Sequence, residues 1–311
     1  MRRARSSLLA AAFALPSLAV AQPFGLSGTE FRVNTYGPND QYRPAVAVDG
    51  TGAFIIAWID AGLDGNGNGI FAKRYTSAGA PIGTFDIEFQ VNTYTSGSQY
   101  MPAVAAIGTG TYVVAWTSGS PSFQDGSGQG VYAQRWGAGP LGTEFRVNTD
   151  TFGHQLYPVV AADGSGNFVI AWQDTSKGDI LARRYSSAGV PLDSPFVVNQ
   201  HTTGNQVNPA VARSSAGDFA VFWFDGDNYY EIHGQRYASA GAPQGGEFPL
   251  STHSGLDYQT PLSAAYGPSG FVVVWTLQGV GQTEIIARRF AATGAPLGGE
   301  MQVNSVTGSA T

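Results

Sequence analysis

Apolar and polar positions alternate in short runs along this 311-residue chain, and no stretch has the period of an amphipathic helix. Residues 144–148 alternate strictly, which predicts a half-buried strand. Pro158 to Ala162 predicts a second strand, and Ile180 to Tyr185 predicts a fourth. Between them, Phe168 to Trp172 is apolar at every position, which predicts a strand covered on both faces. Gly, Asp, Ser and Pro separate the runs, as expected for tight turns.

This four-strand pattern recurs five times with a period of about 52 residues, which indicates one supersecondary unit stacked on copies of itself. In each copy the two-sided apolar strand ends in Trp, and a later strand carries Arg before an aromatic residue. The Trp residues are Trp58, Trp116, Trp172, Trp223 and Trp275, and the Arg residues are Arg74, Arg135, Arg184, Arg236 and Arg289. We expect the Trp side chains to be core and the Arg side chains to be architectural.

A unit of about 52 residues without Cys is marginal as a free domain, and its two-sided strand needs a neighbour on each face. Sheets stacked face to face in a ring provide both neighbours. The sequence therefore predicts an all-β fold, a β-propeller of five four-stranded blades, with a linear β-solenoid as the alternative. The Glu-Phe-x-Val-Asn strand occurs six times, once more than the Trp strand, and its first and last copies lie near residues 30 and 300. We expect one of these terminal copies to complete the last blade and close the ring, unless a truncated sixth blade forms.

Spacing within the repeat separates fixed from variable segments. The interval from Pro to Trp is 14 residues in every copy, as from Pro44 to Trp58, whereas the interval from Trp to Arg varies from 12 to 19. A fixed interval indicates a packed backbone, and a variable one indicates an exposed loop. By strand parity the variable loops share one face of the ring, so we expect a binding site on that face.

The N-terminus has the composition of a secretory signal peptide, with Arg2, Arg3 and Arg5 before an apolar stretch and a cleavage site at Ala19-Val20-Ala21. This predicts a signal peptide at 1–21, a single propeller domain at 22–311, and a location outside the cytoplasm, whether secreted, periplasmic or at the cell surface. Without the leader the chain has 13 basic and 22 acidic residues, a net charge of −9. Nucleic acid is therefore not an expected partner. We expect no membrane insertion, and we expect the protein to be a monomer.

Two groups of residues are candidates for binding. Gln precedes the Pro strand and Tyr lies beside it, and amides with aromatic faces are suited to sugars. The alternative is that Gln caps its own loop. The residues are Gln41, Tyr42, Gln99, Tyr100, Gln155 and Tyr157. Separately, Asp64, Asn66 and Asn68 match the first half of a calcium loop that lacks its final Glu. This predicts at most weak calcium binding, with a Gly-rich turn as the alternative, and no required cofactor.

The sequence contains no recognised catalytic motif. The chain has no Cys, and its four His residues form no known signature. Asp60, Asp174 and Asp225 each lie two residues after a Trp, and a glycosidase would need two such carboxylates across one bond. Because they recur in three blades, we expect them to cap loops, and the sequence predicts a protein that is not an enzyme.

The stretches 88–93, 102–105, 112–116 and 131–135 resemble a tandem repeat of secreted bacterial, adhesin-like proteins. The resemblance covers residues 30–304 and implies an extracellular, non-catalytic binding role. We therefore predict a secreted protein that recognises a glycan or a cell-surface protein through the variable-loop face. The alternatives are a glycan-cleaving hydrolase with a central carboxylate pair and a structural spacer without a ligand.

Overall fold

The computed structural model describes residues 29–83, 88–119, 123–226, 231–251, 258–279 and 282–304. The predicted signal peptide at 1–21 lies outside these residues. From Val33 onward the described residues form one compact unit. No helix in this described part is long and apolar enough to cross a membrane.

The described residues form five antiparallel sheets of four strands, and strands adjacent in sequence are adjacent in each sheet. The first blade contains β1 (Gln41–Val48), β2 (Phe54–Ala61), β3 (Asn68–Tyr75) and β4 (Phe89–Gln90). The second contains β5 (Ser98–Gly108), β6 (Thr111–Gly119), β7 (Gly130–Trp136) and β8 (Phe145–Arg146). The third contains β9 (Gln155–Ala162), β10 (Phe168–Asp174), β11 (Asp179–Tyr185) and β12 (Phe196–Val197). The fourth contains β13 (Gln206–Arg213), β14 (Phe219–Asp225), β15 (Glu231–Tyr237) and β16 (Phe248–Pro249). The fifth contains β17 (Tyr258–Gly267), β18 (Gly270–Gly279), β19 (Gln282–Ala291) and β20 (Met301–Gln302).

The predicted five-bladed β-propeller is confirmed by these sheets. Each two-sided apolar run is the second strand of a blade, with a strand on either side within the sheet. All five Trp residues are core, as predicted, since Trp116, Trp172 and Trp223 have no exposed surface and Trp58 and Trp275 are 3% exposed. The inner strands β1, β5, β9, β13 and β17 all border one central cavity.

Apolar side chains join each blade to the next. Four buried clusters lie between blades one and two, two and three, three and four, and four and five. Among the described residues no such cluster joins the fifth blade to the first. Val46 and Val48 of β1, which face this seam, are 61% and 58% exposed.

The C-terminal copy of the repeated outer strand completes the fifth blade. In that blade β20 pairs with β19, with Gln302 opposite Ile286 and Met301 opposite Ala287. The N-terminal copy therefore does not supply this strand. Val33, which follows it, accepts a hydrogen bond from the Tyr75 hydroxyl at 3.1 Å. The same contact joins Tyr237 to Val198, so residue 33 occupies the position of a preceding blade's outer strand.

Polar joints between blades use the repeated Asn and Arg. Asn148, at the end of one blade, accepts a hydrogen bond from the Val131 backbone and donates one to Gln155 of the next blade. Three of the five repeated Arg residues donate to a backbone carbonyl in the following blade's turn. These bonds are Arg135 to Ser187 at 2.9 Å, Arg184 to Ser239 at 2.7 Å and Arg236 to Ala292 at 3.0 Å. The predicted architectural role of Arg thus has a geometric basis. Gly241, with φ of 89°, lies so close to Arg184 that a Cβ there would meet the guanidinium at 2.7 Å.

Candidate functional site

A strained residue marks the same point of the inner strand in four blades. Arg43, Met101, Tyr157 and Asn208 each have φ of 53°, in the left-handed region, and each immediately precedes the repeated Pro. Non-Gly residues in this region carry a cost on the order of 1–3 kcal/mol. The strand is bulged here, since its register shifts between Tyr42 and Ala45 in the first blade. The backbone is the same in each blade, whereas the side chains are chemically different.

The bulges direct these residues to the centre of the ring. A cavity of about 480 Å³ lies there, lined by all five inner strands. Its walls are Pro, Ala and Val from the repeat, with Leu262 and Ser263 in the fifth blade. Arg43, Met101, Tyr157 and Asn208 are the variable members from the other four blades. The repeated residues therefore form the wall of the cavity, and the residues that differ between blades determine its chemistry.

A second cavity of about 390 Å³ adjoins the first between blades three and four. Tyr157 and Asn208 line both cavities. Gln173 and Asn205 add amide groups, and Gln173 Oε1 lies 3.4 Å from the backbone nitrogen of Asn208. We call this cavity the side pocket. Among the described residues, no carboxylate lines either cavity, so Arg43 is the only charged member of the lining.

The side pocket opens on the face where the variable loops lie. Gly204 and Asn205, from the loop before β13, contribute to it together with Gly226, from the loop after β14. The two loops are tied by a hydrogen bond from Gly226 N to Asn205 O at 2.8 Å. A Cβ at Gly226 would lie 2.6 Å from the same oxygen, so the approach depends on Gly. Strand parity predicts this shared face.

The six residues proposed for ligand binding occupy three different environments. Tyr157 lines both cavities, whereas Tyr100 packs between the first two blades and Tyr42 is 38% exposed outside the cavity linings. The glutamines lie in the joints between blades. Gln99 and Gln155 have no exposed surface and accept hydrogen bonds from Asn92 and Asn148. Gln41 accepts one from Asn34. A ligand cannot reach the two buried amides unless the joint opens.

Sequence reasoning missed Arg43, Met101, Asn208, Gln173 and Asn205. The available signal was the position before the repeated Pro, where the residue type differs in every copy although the Pro is invariant. This variation does not show by itself that a bulge turns the position toward the centre.

The loop proposed to bind calcium is a tight turn stabilised by Asp64. Its Oδ1 accepts a hydrogen bond from Asn66 N at 3.0 Å. Burial raises the pKa of Asp64, and its Oδ2 has no hydrogen-bond partner in the described part of the chain. At the start of β3, the backbone N–H of Asn68 donates a hydrogen bond to Ser98 Oγ at 3.2 Å. No group of three or more His or acidic residues that could hold a metal occurs among the described residues. Weak calcium binding through side-chain oxygens of Asp64, Asn66 and Asn68 stays a prediction.

The three carboxylates considered for glycan cleavage lie at equivalent positions inside three blades. Asp60, Asp174 and Asp225 are at most 1% exposed and lie at the last or next-to-last position of the second strand of their blades. Asp60 accepts hydrogen bonds from Gln41 and Leu63 N, and Asp174 accepts from Ser176. They support the loops around them and do not line the central cavity.

The fourth blade breaks the repeat with a partly buried ion pair. His233 occupies a position held by Phe71, Tyr132, Leu181 and Ile286 in the other blades. Its Nδ1 lies 2.7 Å from Glu247 Oε1. Burial alone would lower the pKa of His233, but Glu247 raises it above its ordinary value. Burial would likewise raise the pKa of Glu247, but His233 and the backbone of Gln200 and His201 lower it.

No family model matches this chain, and no curated protein of similar sequence was found. Solved structures do share its architecture. The K499G mutant of NanB sialidase from Streptococcus pneumoniae superposes with a TM-score of 0.57 at 7% identity, over 83% of this chain and 60% of that one. The Hadza microbial sialidase Hz136 gives 0.54 at 12% identity, over 86% and 59%. An α-L-arabinanase of Penicillium chrysogenum in complex with arabinobiose gives 0.53 at 11% identity, over 88% and 83%. This chain thus spans about three fifths of the two sialidases.

These comparisons overturn the prediction that the protein is not an enzyme. That prediction relied on missing motifs, yet the propellers that superpose on this chain include two sialidases and an arabinanase. A propeller assembles its site from separate blades, so a catalytic set need not form a short motif. At these identities the likeness establishes the propeller fold and transfers no residue role.

Proposed function

We propose that this protein is a glycan-active propeller that holds an oligosaccharide in the central cavity and the side pocket. The observation that carries the proposal is the ring of strained residues, whose backbone repeats while their side chains differ. Backbone strain of this kind clusters at binding sites, and all four strained side chains line the central cavity.

The lining has the chemistry that sugars require. Tyr157 offers an aromatic face for a sugar ring, and the amides of Gln173, Asn205 and Asn208 can donate to and accept from hydroxyl groups. The combined volume of the two cavities accommodates a short oligosaccharide. Arg43 adds a positive charge at the central cavity, which favours a ligand with a carboxylate over a neutral one.

The propellers that share the fold narrow the set of ligands worth testing. Two are sialidases, which suggests an acidic sugar, and one is an arabinanase in complex with arabinobiose, which suggests a neutral one. Calorimetric titration with sialyllactose and with arabinobiose separates these classes. If Arg43 binds a sugar carboxylate, Arg43→Gln should weaken sialyllactose binding and leave arabinobiose binding unchanged.

Tyr157→Ala tests the site itself. An aromatic face buried against a sugar contributes about 1.5–3 kcal/mol, so we expect the Kd to rise roughly 10- to 100-fold. Tyr42→Ala is the matched control, because Tyr42 lies one residue earlier in the repeat and lines neither cavity. Equal effects of the two variants, or none with Tyr157→Ala, would contradict the proposed site.

A further inference from the structure

The loop before β13 and the end of β14 together carry a chain of three reactive groups in the fourth blade. Thr203 Oγ1 lies 2.6 Å from His201 Nε2, and His201 Nδ1 lies 3.1 Å from Asp225 Oδ2. Asp225 has no exposed surface, His201 is 42% exposed, and Thr203 is exposed. The order of hydroxyl, imidazole and buried carboxylate is the arrangement that activates a hydroxyl as a nucleophile.

Further hydrogen bonds fix the backbone of His201 and the carboxylate of Asp225. Glu247 accepts from the His201 backbone at 3.3 Å, and Asn199 donates to the His201 carbonyl at 2.8 Å. Gln206 donates both to Asp225 Oδ1 and to the Thr203 carbonyl, each at 3.2 Å. The buried carboxylate favours the tautomer with a proton on Nδ1, which leaves Nε2 free to accept the proton of the Thr203 hydroxyl.

The arrangement occurs only once in the repeat. The residues at the position of His201 in the other copies are Tyr36, Tyr94, Asp150 and His253, and those at the position of Thr203 are Pro38, Ser96, Phe152 and Gly255. Asp225 is matched by Asp60, Ser118, Asp174 and Leu277. Only the fourth blade combines a hydroxyl, an imidazole and a carboxylate, so packing common to all blades does not require the set.

The relay lies beside the side pocket. Gly204 and Asn205, the two residues after Thr203, both line that pocket. Their backbone N–H groups have no acceptor among the described residues. The N–H after a nucleophile is a common donor to a developing oxyanion, and a second nearby N–H strengthens it.

We propose that Thr203, His201 and Asp225 hydrolyse an acyl ester carried by a glycan in the side pocket, an inference that rests on the proposed function for its substrate class. Thr203 Oγ attacks the ester carbonyl while its proton moves to His201 Nε2. The C–O bond to the sugar breaks, and His201 returns the proton to the leaving sugar oxygen. Water then attacks the acyl-Thr203 ester with His201 again accepting a proton, which releases the carboxylic acid and restores the Thr203 hydroxyl. Asp225 is a positioning residue that stabilises the charged imidazole.

Hydrolysis of 4-nitrophenyl acetate by the full chain tests the relay without any sugar. General-base catalysis contributes roughly 10²–10⁴-fold, so His201→Gln and Thr203→Ala should lower kcat by about that factor. Thr203→Ser should retain turnover. Ser96→Ala, which changes the equivalent hydroxyl of the second blade, is the matched control and should have no effect. Mass spectrometry of the quenched reaction should find an acetyl group on the peptide that contains Thr203.

Turnover by Thr203→Ala equal to that of the unaltered protein would overturn the relay, as would no turnover together with no labelling of Thr203 by an organophosphonate ester probe. An acetylated oligosaccharide then separates the two proposals. Tyr157→Ala should raise KM for the acetylated oligosaccharide, whereas Tyr42→Ala, which changes a residue outside both cavities, should leave that KM and the turnover of 4-nitrophenyl acetate unchanged. Relay activity on the small ester with no change in KM for the oligosaccharide would refute the glycan site and leave the relay standing.

Discussion

The joint at Asn148 should be a major contributor to the stability of the ring. Asn148 is 2% exposed and makes three hydrogen bonds. It accepts from Val131 N at 2.8 Å and donates to Asp150 O at 2.8 Å and to Gln155 Oε1 at 3.1 Å. Asn148→Ala removes all three bonds and leaves the Val131 N–H, which is fully buried, without an acceptor.

The cost can be worked out from these contacts. An unsatisfied buried N–H costs about 1–3 kcal/mol, and each of the other two bonds contributes about 0.5–1.5 kcal/mol. We therefore expect Asn148→Ala to lower the free energy of unfolding by about 2–6 kcal/mol, a large share of a typical total of about 5–15 kcal/mol. Urea unfolding followed by circular dichroism and Trp fluorescence measures the loss.

Asn304→Ala is the matched control for this measurement. Asn304 occupies the same repeat position at the end of the fifth blade, where its bond from Ile285 N at 2.8 Å is exposed to solvent. Because water can replace an exposed acceptor, its loss should stay within about 1 kcal/mol. Equal losses below that value in both variants would refute the view that the repeated Asn joins the blades.

Two further predictions concern the ion pair and the acidic turn. The contribution of His233 to stability is complete below pH 6.5 and is lost as pH rises through its raised pKa. The contribution of Glu247 to stability is present above pH 4.5 and is lost as pH falls through its lowered pKa. The pair should therefore stabilise the fold most between these two pH values. In urea melts, His233→Leu, which places there the residue type that Leu181 has in the third blade, should remove the decline in stability above pH 6.5. An unchanged pH profile would count against the pair. If the loop that contains Asp64 binds calcium, millimolar calcium should raise Tm slightly. Magnesium should not raise Tm, and calcium should not raise the Tm of Asp64→Ala. A Tm that does not respond to calcium would leave the loop as a turn.

The fold could be predicted because the same pattern of buried positions recurs in five copies of the repeat. An invariant interval from Pro44 to Trp58 and its counterparts indicates a fixed backbone path, and a strand such as Phe168 to Trp172 that is apolar on both faces requires neighbours on both sides. The terminal strand that completes the last blade could not be chosen, because the copies near residues 30 and 300 have nearly the same sequence. Pairing of β20 with β19 depends on geometry that the pattern does not contain.

The candidate site could be predicted only in part, for two physical reasons. A repeated amide such as Gln155 suits a blade joint as well as a sugar, and its burial decides between them only once the fold is known. The left-handed bulge before Pro209 turns Asn208 toward the centre, and alternation of apolar and polar residues carries no sign of it. The contact of His201 with Asp225 spans 24 residues and two loops, so it forms no motif along the chain.

A crystal structure with the tighter-binding of sialyllactose and arabinobiose tests the central claim most directly. Our account predicts a sugar ring against the face of Tyr157, with hydroxyl groups bonded to Asn208 and Gln173, and the remainder of the ligand in the central cavity. A sugar bound elsewhere, such as on the exposed face of β1 at Val46 and Val48, with both cavities empty, would contradict it.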